Sequence, residues 1–309
     1  MDKLKVLASD GIVKSAVEAI EAMGCQVDEE SYGPEELPGK LKEYDALIVR
    51  SATKVKRPTF EAMGSDSKLK LIVRAGVGLD NIDLEAAKEF GVEVRNTPNS
   101  SSQAVAELVL GHMLTLARHL QKSNFTMRKG EWNKKKYEGV ELSESTLGII
   151  GIGRIGRSLA EKASALGMKI IYNDIMGEVK ELTNYSFVDM ETLIKTSDFI
   201  SLHVPKNPGE PPVLGKAEFD MMKDGVFVIN CARGGTLDED ALLEALNSGK
   251  VAGAGLDVFE TEPTQNMTLL NHENVSSSPH IGASTFEAQE RIGGELIEIF
   301  EAFCKGGSY

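Results

Sequence analysis

The chain has 309 residues, of which 41% are hydrophobic, and this is enough to fill the cores of two domains. Its net charge of −13 argues against nucleic acid or an anionic membrane surface as a general partner, so that an anionic ligand would need a local basic cluster. The cysteines, Cys25, Cys231 and Cys304, are odd in number and widely spaced, which excludes a disulfide framework and favours a reducing, cytoplasmic location.

The first hundred residues alternate between strands and helices. Short apolar runs predict strands at 5–8, 46–49, 71–74 and 92–94, with helical patterns between them. The opening segment, MDKLKVLAS, lacks the apolar core of a signal peptide. The alternation predicts a small domain with a parallel sheet covered on both faces.

Basic residues follow two of these predicted strands. Arg50 comes directly after Val49, and Arg74 precedes Gly76 and Gly78. Ligands of such sheets bind at the carboxyl ends of the strands, so these two arginines favour ligand binding over a solvated surface. For Lys54, Lys56 and Arg57 we expect the solvated surface.

A break at 96–99, around Pro98, predicts the crossing into a second domain, and Ser100 to Ser102 can cap a helix over 103–120. Charged and polar residues interrupt this apolar segment, so we expect a buried helix and no membrane span. His112 and His119 share one predicted helix face, but no third ligand is evident. Core or subunit packing is therefore expected, and no metal site.

The sequence KGEWNKKKY, residues 129–137, clusters basic residues around an aromatic one. It is either an exposed loop or an anion-binding or subunit-contact segment.

A dinucleotide-binding pattern begins at Thr146. The apolar run 147–150 predicts a buried strand and leads into Gly151, Gly153 and Gly156, spaced as G-x-G-x-x-G. The first glycine permits a tight turn, the second admits a pyrophosphate, and the third lets the next helix pack closely on the strand. That helix would direct its N-terminal N–H groups at an anion.

A second strand ends at Asp174, eighteen residues beyond Gly156. A carboxylate there suits a ribose with free hydroxyls and repels a 2′-phosphate, so the sequence predicts NAD as the cofactor.

Further strands are predicted at 199–204, 226–230, 251–258 and 275–278, giving six after the crossing. An amphipathic helix over 285–303 is predicted to pack on the first domain. The fold class is therefore α/β with two doubly wound parallel sheets. Residues 99–284 would form a Rossmann NAD-binding domain, and residues 1–98 with 285–309 a smaller, flavodoxin-like substrate domain.

Three residues near predicted strand ends could perform hydride-transfer chemistry. Arg233 could hold a carboxylate in a bidentate fork, and His280 could exchange a proton near neutrality. Glu262 could accept the other imidazole N–H and raise the pKa of His280. From periodicity alone, each of them could equally be structural.

The segments NCARGG (230–235), GAGLDVFETEP (253–263) and SPHIGAST (278–285), together with GIGRIG, resemble the D-isomer-specific 2-hydroxyacid dehydrogenases over nearly the whole chain. The resemblance implies a catalytic set of Arg233, Glu262 and His280, and places Asp257 beside the nicotinamide. The other cofactor contacts that it implies are Gly151, Gly153, Arg154, Ile155, Gly156, Asp174, His203, Val204, Pro205, Cys231, Ala232, Arg233, His280, Gly282 and Ala283.

Within that family, VRSATKV (49–55), VRAGVGLDNID (73–83) and GEWNKKKY (130–137) look most like the phosphoglycerate dehydrogenases. This implies a phosphate site at Arg50 and Arg74, and a carboxylate site at the backbone of Val77 and Gly78. Lys134 or Lys135 would come from the neighbouring subunit of a homodimer, and 3-phosphoglycerate would be the anionic substrate.

The resemblance has limits. The longer members of that group carry a serine-binding regulatory domain, which we do not expect here, and no cofactor contact is carried over to the loop 206–215. The alternatives are a dehydrogenase of glycerate, lactate or glyoxylate, and an NAD-sensing transcriptional corepressor. Formate dehydrogenase is disfavoured because it has Gln where Glu262 stands.

Overall fold

The computed structural model describes residues 3–207 and 209–306. The chain forms two compact units. Unit 1 comprises Met1–Ser101 and Ala283–Tyr309, and unit 2 comprises Ser102–Gly282. The predicted boundaries, after residues 98 and 284, differ from these by three and two residues.

The strands are β1 Lys5–Ala8, β2 Gln26–Asp28, β3 Ala46–Val49, β4 Leu71–Arg74, β5 Glu93–Asn96, β6 Thr146–Ile150, β7 Lys169–Asn173, β8 Ser186–Phe187, β9 Phe199–Leu202, β10 Val226–Asn230, β11 Val251–Leu256 and β12 Val275–Ser277. The α-helices are α1 Lys14–Ala22, α2 Leu37–Leu41, α3 Arg57–Met63, α4 Leu84–Glu89, α5 Ser102–Ala117, α6 Leu120–Arg128, α7 Arg154–Ala165, α8 Met190–Thr196, α9 Lys216–Met221, α10 Glu239–Ser248, α11 Met267–Leu270 and α12 Phe286–Cys304. A 3₁₀ turn covers Lys134–Lys136.

Unit 1 contains a five-stranded parallel sheet in the order β2-β1-β3-β4-β5, which is the flavodoxin-like order. Alternate residues of each strand enter opposite cores. Leu7 belongs to the core beneath α2, α3 and α4, while Val6 belongs to the core that also contains Ile20 of α1 and Leu296 of α12. The final helix therefore packs on this unit, as predicted.

Unit 2 contains a seven-stranded parallel sheet in the order β12-β11-β10-β9-β6-β7-β8. The order reverses between β6 and β9, which is the switch point at which a Rossmann fold binds its dinucleotide. Helices α5 and α7 cover one face of the sheet, and α8, α9 and α10 cover the other. The sheet has one more strand than the six predicted, because β8 is only two residues long.

The predicted helix over 103–120 is wrong at its C-terminal end. Helix α5 stops at Ala117, and His119 adopts a left-handed conformation with φ +52° before α6 begins. His112 and His119 therefore do not share one helix. The hydroxyl of Ser100 donates to Glu295, which also accepts from the backbone N–H of Asn99. In residues 3–207 and 209–306, no helix is both long and apolar enough to cross a bilayer.

Candidate active site

Each of the three glycines in the loop after β6 has a separate structural role. Gly151 has φ +94°, and a Cβ there would lie 2.6 Å from the carbonyl oxygen of His203. A Cβ on Gly156 would lie 2.3 Å from the carbonyl oxygen of Gly151, so only glycine lets α7 pack this closely. A Cβ on Gly153 would meet no atom within 4 Å. Packing therefore explains Gly151 and Gly156, whereas Gly153 leaves open space at the N-terminus of α7, where a phosphate binds.

Asp174 follows β7 and contacts the glycine loop. Its Oδ2 accepts the backbone N–H of Ile152 at 2.8 Å, and its Oδ1 accepts that of Met176 at 2.9 Å. The adjacent side chain of Ile175 is 97% exposed. These bonds hold the carboxylate next to the loop, where it can accept a hydrogen bond from a ribose hydroxyl and repel a phosphate.

The turn His203–Pro205 follows β9 and flanks the glycine loop. Gly151 approaches the carbonyl group of His203 and the side chain of Val204 closely. The Nε2 atom of His203 lies 2.9 Å from the hydroxyl of Ser201, and burial lowers the pKa of His203 to about 4. The imidazole is therefore uncharged at neutral pH and adds no positive charge to this edge.

His280 and Glu262 form a hydrogen-bonded pair. His280 Nδ1 lies 2.7 Å from Glu262 Oε2, and Glu262 Oε1 accepts the backbone N–H of Phe259 at 3.2 Å. Burial raises the pKa of Glu262, but the hydrogen bond and charge of His280, the Phe259 N–H and the charge of Arg233 together lower it. Because the ionised carboxylate is an acceptor only, Nδ1 carries the proton, and Nε2 of the neutral ring is the atom that can accept one.

Arg233 lies in the loop that follows β10. Its Nη1 donates to the carbonyl oxygen of Ala232 at 2.6 Å, and the carbonyl oxygen of Arg233 accepts from Asn230 Nδ2 at 2.9 Å. A Cβ on Gly234 would lie 1.8 Å from the carbonyl oxygen of Phe259, so the loops after β10 and β11 touch backbone to backbone. This contact brings the Arg233 loop and the Glu262 loop together.

Cys231, next to Ala232 in this loop, is buried, and burial raises the pKa of its thiol well above the ordinary value. The thiol therefore stays protonated at neutral pH, and Cys231 serves as a packing residue.

Asp257 anchors the segment that carries His280. Its side chain is buried, Oδ1 accepts from the hydroxyl of Ser278 at 2.6 Å and from the N–H of Ile281 at 2.9 Å, and Oδ2 accepts from the N–H of Gly282 at 2.8 Å. Its carbonyl oxygen accepts the N–H of His280 at 2.8 Å. His280 itself has φ +53°, a strained conformation for a residue with a side chain. The surrounding hydrogen bonds hold it there.

In unit 1, Arg50 and Arg74 stand at the carboxyl ends of neighbouring strands, since Val49 of β3 pairs with Arg74 of β4. The backbone N–H of Arg50 donates to Asp10 at 2.6 Å, and Asn81 Nδ2 donates to the carbonyl oxygen of Arg50 at 2.9 Å. Its loop is therefore fixed, while none of the described residues forms an ion pair with its guanidinium group.

The Arg74 side chain lies directly over Gly76. An ideal Cβ on Gly76 would fall 1.4 Å from Arg74 Nη1, and Gly76 has φ +147°. Asn96 Nδ2 donates to the carbonyl oxygen of Val77 at 2.6 Å. The glycine thus makes room for the guanidinium group, which lies beside the segment that continues into Gly78.

Comparison with known proteins identifies the family. Residues 110–282 match the family model described as D-isomer specific 2-hydroxyacid dehydrogenase, NAD binding domain. The chain belongs to the D-isomer-specific 2-hydroxyacid dehydrogenases. It is 46% identical to a hydroxypyruvate reductase of Thermotoga maritima, over 96% of this chain and 97% of that protein. It is 44% identical to D-3-phosphoglycerate dehydrogenase of Methanocaldococcus jannaschii, over 98% of this chain but only 58% of that protein. It therefore spans a little over half the length of this second relative.

Among solved structures, a glyoxylate reductase from Paecilomyes thermophila superposes with a TM-score of 0.90 at 32% identity, covering 100% of this chain and 98% of that chain. Both the sequence and the fold thus identify an oxidoreductase whose cofactor is NAD. The open space at Gly153 and the carboxylate of Asp174 fit that dinucleotide.

The basic segment of this dehydrogenase lies in unit 2. Lys134 and Lys135 are exposed, and the neighbouring Trp132 is 79% exposed. In unit 1, Arg57 forms a bidentate pair with Glu89, and Lys56 donates to the carbonyl oxygen of Asp80. Lys54 and Lys56 are exposed and Arg57 is partly exposed, so these three residues lie at the surface, as expected.

The expected packing of His112 is confirmed, but its hydrogen bonds were not predicted. This buried residue of α5 contacts the hydroxyls of Ser276 and Ser278, and burial lowers its pKa. The available signal is the pair Ser276, in β12, and Ser278, directly after it, because residues two apart in an extended segment lie on the same side. The described residues contain no group of three or more His, Cys, Asp or Glu side chains suited to hold a metal ion.

Proposed function

We propose that this dehydrogenase oxidises D-3-phosphoglycerate at carbon 2 to 3-phosphohydroxypyruvate, the reaction that opens the phosphorylated route to serine. The observation that carries the proposal is the position of Arg50 and Arg74 at neighbouring strand ends of unit 1, with the Arg74 side chain over Gly76. Two arginines suit a phosphate dianion, and a chain of net charge −13 needs such a local cluster to bind one.

In the proposed reaction, the side chains of unit 2 handle the proton and the substrate carboxylate. His280 Nε2 accepts the hydroxyl proton, and the Glu262 carboxylate, 2.7 Å from Nδ1, stabilises the resulting imidazolium. Arg233 polarises the carbon–oxygen bond and holds the carboxylate. When bound, NAD⁺ supplies the hydride acceptor, so the electron pair leaves carbon 2 as the proton leaves oxygen.

Arg50 and Arg74 would hold the phosphate, and the backbone N–H groups of Val77 and Gly78 would bind the carboxylate. Lys134 or Lys135 would come from a second copy of the chain. A homodimer is supported by apolar side chains exposed along α6 and the following loop, which are Leu120, Phe125, Met127 and Trp132. Light scattering would show a dimer if this proposal is right. We propose a reducing compartment such as the cytoplasm, because the chain has only three cysteines, an odd number.

A second candidate is reduction of hydroxypyruvate or glyoxylate, or oxidation of glycerate or lactate. The relative named hydroxypyruvate reductase, which matches over nearly its full length, favours this reading. A third candidate is an NAD-sensing corepressor, in which the dehydrogenase body serves for interaction. Turnover of a 2-hydroxy acid would exclude a purely regulatory role.

Arg74→Glu tests the phosphate assignment. Losing a charge-assisted hydrogen bond should raise the KM for 3-phosphoglycerate by about 10- to 100-fold and leave that for D-glycerate within about 3-fold. Arg57→Glu is the matched control because it makes the same charge change at a surface ion pair. Similar increases with both substrates in R74E would defeat the assignment.

A further inference from the structure

A chain of hydrogen bonds runs from α5 to the segment that carries His280. His112 Nδ1 lies 2.9 Å from the Ser276 hydroxyl, and His112 Nε2 lies 3.1 Å from the Ser278 hydroxyl. Ser278 donates in turn to Asp257 Oδ1 at 2.6 Å. These hydrogen bonds thus run from Ser276 through His112 and Ser278 to the buried carboxylate of Asp257, which anchors residues 278–282.

The available donors and acceptors determine which atom donates in each of these hydrogen bonds. Because the Ser278 proton goes to Asp257, its oxygen must accept, and His112 Nε2 must carry a hydrogen. Burial lowers the pKa of His112, against the opposing charge of Asp257, so the ring is neutral and Nδ1 accepts from Ser276. Every proton in the chain therefore points toward Asp257, and each bond polarises the next.

A glycine in β11 leaves room for the side chain of His112. A Cβ on Gly255 of β11 would lie 2.7 Å from the His112 Cβ, so a larger residue at 255 would displace the ring. One helical turn later, Leu116 packs over Gly253 in the same way, with 3.0 Å between the ideal Cβ and Leu116 Cδ2. The two positions share one helix–sheet interface, but only His112 joins the hydrogen-bond chain.

We infer that His112 is a positioning residue, which acts through Ser278 and Asp257 to hold the left-handed backbone at His280 in its working orientation. The inference rests on the proposed role of His280 in the reaction. Asp257 binds the N–H groups of Ile281 and Gly282 through its carboxylate and that of His280 through its carbonyl oxygen. Without the donor from His112, the Ser278 oxygen is left unsatisfied, and the Ser278 hydroxyl is free to turn away from Asp257.

His112→Leu tests the inference in two ways. In the protein without substrate, hydrogen exchange at the Ile281 and Gly282 amides should become about 10-fold faster, while exchange in β10 changes less. With NAD and the best 2-hydroxy acid, kcat should fall by about 10-fold or more, since small misplacements of reacting groups are costly, and KM should change by less than about 3-fold. Unchanged exchange at both amides would overturn the inference.

Two further variants separate positioning from packing. His112→Gln keeps an N–H donor for Ser278 and should recover kcat to within about 3-fold of the wild type. Leu116→Ala weakens the same interface without touching the chain, so it should lower the melting temperature and leave kcat within about 2-fold. If L116A reduces kcat as much as H112L, the effect is packing and the inference fails. Because hydrogen exchange is measured without substrate, it tests the role of His112 even if the protein turns over no 2-hydroxy acid.

Discussion

The paired variants Gly151→Ala and Gly153→Ala separate stability from cofactor binding within one loop. At Gly151, alanine would have to adopt φ +94° and place its Cβ 2.6 Å from a carbonyl oxygen that belongs to the backbone. The conformational strain costs about 1–3 kcal/mol and the overpacking another 1–3 kcal/mol. The free energy of unfolding of this variant should therefore fall by about 2–6 kcal/mol.

At Gly153 neither penalty arises. Its φ is −67°, and a Cβ would meet no atom within 4 Å. The remaining cost is the lost preference for glycine at the N-cap of α7, at most about 1 kcal/mol. A bound pyrophosphate, however, has to approach this backbone, so the added methyl group should weaken NADH binding by about 1–3 kcal/mol, or about 5- to 150-fold.

Denaturant unfolding and calorimetric NADH titration measure the two quantities separately. We expect G151A to lose stability and G153A to lose affinity for NADH while it stays folded. The pyrophosphate assignment would be refuted by a G153A protein that binds NADH as the wild type does. A G151A protein as stable as the wild type would refute the account of the turn.

Three further predictions concern the carboxylate of Asp174 and the hydrogen-bonded pair His280–Glu262. Asp174→Ala should narrow the preference for NADH over NADPH by about 10-fold, measured as a ratio of Kd values; an unaltered ratio would contradict the ribose role. Because the pKa of Glu262 is lowered from its ordinary value of 4.5, its ionised form stabilises unit 2 above that pH, and the contribution is lost as the pH falls through the lowered value. Glu262→Gln should thus flatten the acid side of a plot of melting temperature against pH, and a curve parallel to the wild type would argue against the pairing. His280→Gln should abolish turnover with NADH affinity within about 3-fold of the wild type, and substantial residual activity would exclude His280 as the base.

The elements that sequence could predict are those whose pattern is local. The strands of the glycine-loop segment and their helix follow from apolar runs and from glycines whose roles depend on neighbours a few residues away. The strands β2 and β8 were not predicted, because they have only three and two residues and no fully buried position that would make an apolar run. The end of α5 was predicted wrongly because the helical pattern of the sequence continues past His119, where the backbone is left-handed.

The candidate site shows the same division. Residue chemistry singled out Arg233, Glu262 and His280, but periodicity could not exclude structural roles, because their meeting depends on contact between the loops after β10 and β11. The place of Arg74 over Gly76 is a local feature, yet the pattern R-A-G gives no sign that the side chain folds back over the glycine. The contacts of His112 with Ser276 and Ser278 span more than 160 residues and could be seen only in the folded chain.

The rate of NADH formation by the wild-type protein with D-3-phosphoglycerate and with D-glycerate, compared as kcat/KM at one pH and ionic strength, tests the central proposal most directly. The two acids differ only in the phosphate group. The account predicts a value at least about 10-fold higher for the phosphorylated acid, because two arginines would bind its phosphate. An equal or higher value for D-glycerate would contradict it.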